Sequence, residues 1–228
     1  MKIKYSIIIP EYKPNPLLLE RLKKYLKKNI TSEMEILEID GKNGLANAYN
    51  EGIKKSKGEM IITIHSDCVP FENDAIEKII APLENEKVVL TYAWIKEEDK
   101  KDKYYPEIPD GKFNAFKKSA LEKVGLFDQK TFFTGGEDVD IWLKLKKIGQ
   151  VIKVDTGVLH THPNYRGNKT LEKRRQNGSI NGTLFRIHGI KNPKWLKALI
   201  TCLRHPRTYG RYFVESYKKG KQEYRRGE

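Results

Sequence analysis

Three short groups of acidic or imidazole residues follow one another along the chain. The first is His65-Ser66-Asp67, directly after the apolar run Met60–Ile64. The second is Glu137-Asp138-Val139-Asp140, which follows two glycines, and the third is His160-Thr161-His162. Carboxylate oxygens and imidazole nitrogens can bind a divalent cation or move a proton. Because the carboxyl ends of parallel strands meet at one edge of a sheet, we expect these groups to form a single site.

The first and third groups each have two interpretations. Asp67 could bind a metal on a diphosphate, or it could form a turn ahead of Pro70. His65 could contact a ligand or could be a hydrogen-bonded core histidine. His160 and His162 share one strand face because they are two residues apart, and either could be a metal ligand or a structural histidine.

The second group also has two interpretations. Either Glu137 or Asp138 could be a general base at the mouth of a site. Both could instead stabilise the first turn of a helix, because carboxylates interact favourably with its dipole there. We expect Asp140 to face solvent or to cap the same turn.

The segments that must position these groups alternate between strand and helix patterns. This alternation predicts an α/β fold, with a mostly parallel sheet flanked by helices and a ligand site at the carboxyl strand ends. The predicted strands are Tyr5–Pro10, Met34–Ile39, Met60–Ile64, Val88–Trp94, Val151–Val154 and Val158–His160; the predicted helices are Asn15–Lys28, Asn43–Lys55, Asn73–Leu83, Ser119–Val124 and Val139–Ile148.

The charge distribution divides the 228 residues into two parts. Residues 1–164 carry a net charge of +1, whereas residues 165–228 carry +13 of the total +14. We therefore predict a catalytic domain over residues 1–165 and a basic helical region over residues 166–228. The two cysteines, Cys68 and Cys202, are far apart and are interpreted as reduced thiols of a cytoplasmic protein. The sequence contains no apolar run of about 18 residues, so we expect no membrane span.

The basic region has a further pattern, an apolar helical stripe flanked by lysines and arginines. The stripe comprises Trp195, Leu196, Leu199, Ile200 and Leu203. Residues 191–228 could lie on an anionic membrane surface, bind an anionic glycan, or pack on the core. Nucleic-acid binding is the rival class, because a charge of +13 with interleaved aromatics suits a phosphate backbone. The sequence has no helix-turn-helix, zinc or RNA-binding signature, so we consider nucleic acid an unlikely partner.

Taken together, these motifs resemble the family 2 glycosyltransferases, which have the GT-A fold. The resemblance covers about residues 3–165. The matching segments are Ser6–Pro10, Asn43–Ile53, Lys57-Gly58-Glu59, His65-Ser66-Asp67 at the DXD position, Asn114–Leu121, Val124–Asp128, Glu137–Asp140 at the ED motif, and His160. Glu11-Tyr12-Lys13 replaces the family's usual Thr-Tyr-Asn, and His65 replaces the first acid of DXD.

The resemblance implies an inverting sugar transfer from a nucleotide-sugar donor to a lipid-linked, glycan or polysaccharide acceptor. It implies Mn²⁺ or Mg²⁺ as cofactor, with Asp67 as a ligand and His160 or His162 as another. Asp138 matches the general base, with Glu137 beside it. The residues implied on the nucleotide-sugar side are Pro10, Glu11, Tyr12, Asp40, Asn43, Gly44, Asn47, His65, Ser66 and Asp67. A relative that binds sugar or nucleotide without catalysis is the alternative.

Overall fold

Strand β1 (Tyr5–Glu11) lies between two parallel strands and has an apolar side chain on each face. Ile7 and Ile9 point into one core cluster, and Ile8 points into another. This division follows from the two-residue period of a strand. In this computed structural model, the described residues are 2–11, 14–41, 43–98, 101–106, 108–133, 135–161, 171–191 and 194–222.

The other elements form one seven-stranded sheet in the order β2-β1-β3-β6-β5-β7-β4, flanked by helices. The strands are β2 (Met34–Asp40), β3 (Met60–Ile64), β4 (Cys68–Pro70), β5 (Val88–Glu97), β6 (Phe113–Lys117) and β7 (Gln150–His160); the helices are α1 (Pro16–Asn29), α2 (Leu45–Lys55), α3 (Ala75–Ile80), α4 (Lys118–Lys123), α5 (Glu137–Leu145), α6 (Leu171–His188), α7 (Trp195–Arg204) and α8 (Arg211–Lys219). Helices α1 and α3 contribute to one core cluster, and α2, α4 and α5 contribute to the other.

The sheet is mixed, where the sequence predicted a mostly parallel one. Strands β4 and β6 were not predicted, and each pairs antiparallel with its neighbours, so three of the six pairings are antiparallel. The two short strands predicted near the end of the domain are one long strand, β7. Gly157 interrupts the apolar pattern of β7. A side chain at this position would overlap the ring of Trp94, because its Cβ would lie on the ring atoms.

Helices α6, α7 and α8 pack as a group. Gly178 and Gly182 of α6 lie against the backbone carbonyls of Tyr209 and Phe213, so a Cβ at either glycine would overlap them. The predicted apolar stripe of α7 divides between two faces. Ala198, Leu199 and Cys202 pack inward, whereas Leu196, Ile200 and Leu203 are 54%, 42% and 83% exposed. Among the residues described, the helices are too short or too polar to cross a bilayer.

Candidate functional site

The strand order brings six chain segments to one edge of the sheet: the ends of four strands, the turn that joins β3 to β4, and the start of β6. Strands β1, β2, β3, β5 and β7 run parallel to one another and end there, whereas the antiparallel strands β4 and β6 begin there. His65 and Asp67 lie in the turn from β3 to β4, and His160 is the last residue of β7. The first and third sequence groups therefore meet, as their positions at strand ends predict.

His160 ends the strand that lies between β5 and β4 at this edge. Strand β7 pairs with β5 on one side and with β4 on the other, so that Glu97 and Cys68 are both register partners of His160. The Nδ1 atom of His160 is 2.8 Å from a Glu97 carboxylate oxygen, and its Nε2 atom is 3.4 Å from Asp67 Oδ2. In the neutral form of His160, a carboxylate that accepts the Nδ1–H bond leaves the lone pair on Nε2, which then faces Asp67.

This arrangement could hold a divalent cation. A neutral Nε2 atom and a carboxylate oxygen are both acceptors, and a shared cation stabilises two acceptors at this separation. Ligand atoms of Asp67, Cys68 and His160 all lie within 4.8 Å of one another. The imidazole nitrogen makes this set a better fit for a transition-metal ion such as Mn²⁺ than for Mg²⁺, which takes oxygen ligands and water.

His65 is neutral and is held by Tyr49. Burial lowers the pKa of His65 to about 4, more than the charge of Asp67 raises it. Its Nε2 atom lies 3.0 Å from the hydroxyl of Tyr49, which donates to the Gly111 carbonyl oxygen at 3.2 Å. The hydroxyl has one proton, so this network assigns the imidazole proton to Nε2. The unprotonated Nδ1 atom of His65 then faces Asp67 Oδ1 at 4.0 Å.

The acidic pair begins α5 at the same edge. Gly136, in the left-handed region at φ 99°, precedes Glu137, which is buried, and Asp138, which is half-buried. The Oδ1 atom of Asp138 accepts the Val139 N–H at 2.8 Å. Burial raises the pKa of both carboxyl groups, and the negative charges of neighbouring acids raise them further. After burial, the largest contribution is the charge of Asp138 for Glu137 and the charge of Asp110 for Asp138.

One of those neighbouring acids is Asp110, which lies between the predicted strand Val88–Trp94 and the predicted helix Ser119–Val124. Burial alone would raise the pKa of Asp110, but the Lys112 ammonium group, 2.6 Å away, lowers it. An ionised Asp110 in turn raises the pKa of Asp138. Asp110 and Lys112 immediately precede β6, and recognition of that strand from its apolar residues would have placed them at the site edge.

The sequence predicted that Asp140 faces solvent or caps the turn, and the structure shows neither. It is 1% exposed, and its Oδ1 atom lies 2.8 Å from His188 Nε2. Its Oδ2 atom lies 2.6 Å from Lys144 Nζ. The prediction was wrong because this face of α5 is covered by α6, which is distant in sequence.

The residues expected on the nucleotide side lie at the ends of β1 and β2 and at the start of α2. Pro10 is buried, Glu11 is half-buried, and Asp40 is an exposed register partner of Glu11. Asn43 is exposed and Asn47 half-buried, and Ser66 shares the turn of Asp67; Tyr12 and His162 lie outside the described residues.

Gly44 connects this nucleotide side to the acidic pair. Its φ is 94°, and a Cβ there would lie 3.3 Å from the carbonyl oxygen of Phe133, in the loop before α5. The start of α2 therefore packs against the loop that leads to Glu137 and Asp138.

Comparisons with known proteins give one family match. The model of the family described as glycosyl transferase family 2 matches residues 7–137, which is more than half of the chain. No curated protein matches the chain by sequence search.

Solved structures share the fold at low sequence identity. A mannosyltransferase, PcManGT from Pyrobaculum calidifontis, determined with GDP-Man and Mn²⁺, aligns with TM-score 0.66 and 13% identity over 96% of this chain and 74% of its own. GalNAc-T7 with UDP, GalNAc and Mn²⁺ aligns with TM-score 0.59 and 14% identity over 95% and 57%. The catalytic domain of Drosophila β1,4-galactosyltransferase 7 with xylobiose aligns with TM-score 0.52 and 12% identity over 66% and 64%.

The sequence gives no signal for Glu97, whose contact with His160 predicts that it orients the imidazole. Glu97→Ala removes the acceptor that orients the imidazole, so we expect Mn²⁺ affinity to fall by about 10- to 100-fold. Isothermal titration of Mn²⁺ measures this change. The exposed neighbour Glu98 provides the matched control, Glu98→Ala, which we expect to bind as wild type does. Equal affinity in the two variants would contradict an orienting role for Glu97.

Proposed function

The chain belongs to glycosyl transferase family 2, and from that membership we propose an inverting transfer of a sugar from a nucleotide-sugar donor to an acceptor hydroxyl group. The observation that carries the proposal is the convergence at one sheet edge of the Asp67 and His160 ligand atoms with Asp138, which lines a cavity together with Tyr49, the residue that holds His65. The donor would bind along the ends of β1 and β2 and the start of α2; its proposed contacts are Pro10, Glu11, Tyr12, Asp40, Asn43, Gly44, Asn47, His65 and Ser66.

Asp67 and His160 would hold a divalent cation, Mn²⁺ or Mg²⁺, with His162 as a further candidate ligand. When bound, the cation would neutralise charge on the departing nucleoside diphosphate. Glu97 would orient His160 for this role. The unprotonated Nδ1 atom of His65 would offer a lone pair to the cation where the family usually has a carboxylate. The site would then carry one negative charge fewer.

Asp138 would be the general base. Burial and neighbouring negative charges raise the pKa of both carboxyl groups, so the pair holds a proton to a higher pH than ordinary carboxyl groups do. The ionised Asp138 accepts the proton of the acceptor hydroxyl, and the hydroxyl oxygen forms a bond to the anomeric carbon from the face opposite the leaving group. The bond from that carbon to the diphosphate oxygen breaks, and its electron pair leaves with the nucleoside diphosphate.

We further propose that the acceptor is lipid-linked or a polysaccharide and that the protein works peripherally on the cytoplasmic face of a membrane. The exposed residues Leu196, Ile200 and Leu203 occupy one face of α7, at helical spacing. Residues 171–191 and 194–222 contain thirteen basic and two acidic residues. An apolar helix face within a strongly basic surface matches the chemistry of an anionic lipid layer. The same charge opposes self-association through this face.

Donor binding is tested by melting the protein with UDP, GDP, dTDP, CDP and their common sugar conjugates, each with and without Mn²⁺. A ligand that binds only the folded state raises the melting temperature, so we expect a Mn²⁺-dependent rise with one nucleotide class. Asp67→Ala should lose the Mn²⁺ dependence. Asp155→Ala should keep it, because this exposed carboxylate lies on β7 well before His160. The absence of a shift with every nucleotide would contradict donor binding.

The base assignment is tested with Asp138→Asn, which keeps the size of the side chain but cannot accept the proton. We expect donor binding to persist and turnover to fall by about 10²- to 10⁴-fold. Release of nucleoside diphosphate in the presence of a lipid or glycan extract measures turnover. Because the pKa of the acidic pair is raised, wild-type turnover should rise with pH through an apparent pKa above the ordinary carboxyl range. Normal turnover in Asp138→Asn would remove Asp138 from this role.

Membrane binding is tested by sedimentation with vesicles of phosphatidylglycerol or phosphatidylcholine. We expect the wild type to bind the anionic vesicles and the double variant Ile200→Ser/Leu203→Ser to bind at least about tenfold more weakly, because it loses buried apolar carbons. Leu17→Ser changes an equally apolar residue that is 59% exposed on the distant helix α1, and serves as the control. Binding that is equal in all three proteins would contradict the assignment of this surface.

A further inference from the structure

We propose that Gln222 is a positioning residue for the reaction, because its side chain fixes the loop that leads into the acidic pair. The inference rests on the proposed function only in treating Asp138 as the base. It makes the C-terminal helices part of the catalytic centre, although they lie beyond the residues matched by the family model.

The Gln222 amide contacts the loop at two backbone groups. Its Oε1 atom accepts the N–H of Phe133 at 3.2 Å, and its Nε2 atom donates to the carbonyl oxygen of Gly135 at 2.5 Å. Gln222 is 3% exposed, so these bonds form away from bulk water, where an unmade backbone hydrogen bond is costly. A primary amide is the side-chain group that donates and accepts from one planar unit, and the loop uses both atoms.

The chain reaches this position because α8 ends at a glycine. Gly220, at φ 68°, adopts the left-handed conformation that terminates a helix, and its N–H donates to the Ser216 carbonyl at 2.9 Å. The chain is no longer helical after Gly220, and Gln222, two residues later, contacts the loop.

The loop itself needs external contacts to hold one conformation. Gly135 and Gly136 have φ values of 130° and 99°, and glycine loses more conformational freedom on ordering than any other residue. Ile180 of α6 packs against both glycines, so that a Cβ on Gly136 would lie 2.8 Å from it. Gln222 supplies the hydrogen bonds and Ile180 the apolar contact, and together they hold the loop between two helices of the C-terminal region.

A second contact holds the other side of the acidic pair. Asp140, three residues after Glu137, is buried against His188 at the end of α6. The segment containing Glu137 and Asp138 is therefore attached to the C-terminal helices both before and after the two carboxyl groups. The position of the Asp138 carboxylate relative to a bound donor consequently depends on these attachments.

The test compares Gln222→Ala and Gln222→Glu with wild type in the full chain. Glutamate keeps the size of the side chain but cannot donate to Gly135, so both variants should loosen the loop. We expect amide hydrogen exchange in the peptide covering residues 131–139 to become about tenfold faster, with little change elsewhere. We also expect kcat to fall by about tenfold while KM for the donor stays the same. Arg211→Ala, at an exposed position of α8, is the matched control and should behave as wild type.

The proposal is overturned if both variants exchange and turn over as wild type does. It is also overturned if exchange rises equally throughout α6, α7 and α8, because Gln222 would then stabilise the helices as a whole. His188→Gln provides an independent variant at the second attachment, and a local rise in exchange over residues 131–145 is the expected result. If no donor supports turnover, the proposed function fails, whereas the exchange measurement still decides whether Gln222 holds the loop.

Discussion

The register of β7 between β5 and β4 is the constraint on which the site depends. The pairing of β5 with β7 starts at Val88 opposite Gln150 and would, without interruption, place Leu159 opposite Glu97. Two irregularities shift it by a net single residue, so that His160 takes that place. A shift of one residue moves every following side chain to the other face of a sheet. The bulges therefore place the imidazole group of His160, rather than the isobutyl group of Leu159, next to Glu97 and Asp67.

The charged groups around this edge are compensated in pairs. Asp110 has Lys112, and Asp140 has Lys144 on one carboxylate oxygen and His188 on the other. Burying a charge without a partner is costly, and these pairs keep the local charge close to balance. Glu137 and Asp138 are the contrasting case, because burial and the charges of neighbouring acids raise the pKa of both. A pair with raised pKa values, surrounded by compensated charges, is the pattern expected of groups that exchange protons.

Much of the architecture follows from local patterns in the sequence. Strand β3 has the predicted bounds, and the helix patterns of α1, α2 and α5 were recognised to within a few residues, because apolar periodicity and caps act over short distances. Strand β6 was not predicted because Asn114 interrupts its short apolar pattern, and β4 has only three residues. The convergence of Asp67 and His160 could be predicted from strand ends. The partners Glu97 and His188 could not, because their contacts depend on register and on helix packing between distant segments.

The two glycines of α6 that meet the carbonyls of Tyr209 and Phe213 determine how this region can change during evolution. Their contacts are with backbone atoms of α8 and of the turn that precedes it, so the outward side chains of α7 and α8 contribute little to them. Substitutions at Leu196, Leu203 or Val214 can accumulate without altering the spacing of α6 and α8. The surface that meets the surroundings of the protein can therefore vary in sequence without a change in how the C-terminal helices are attached to the acidic loop.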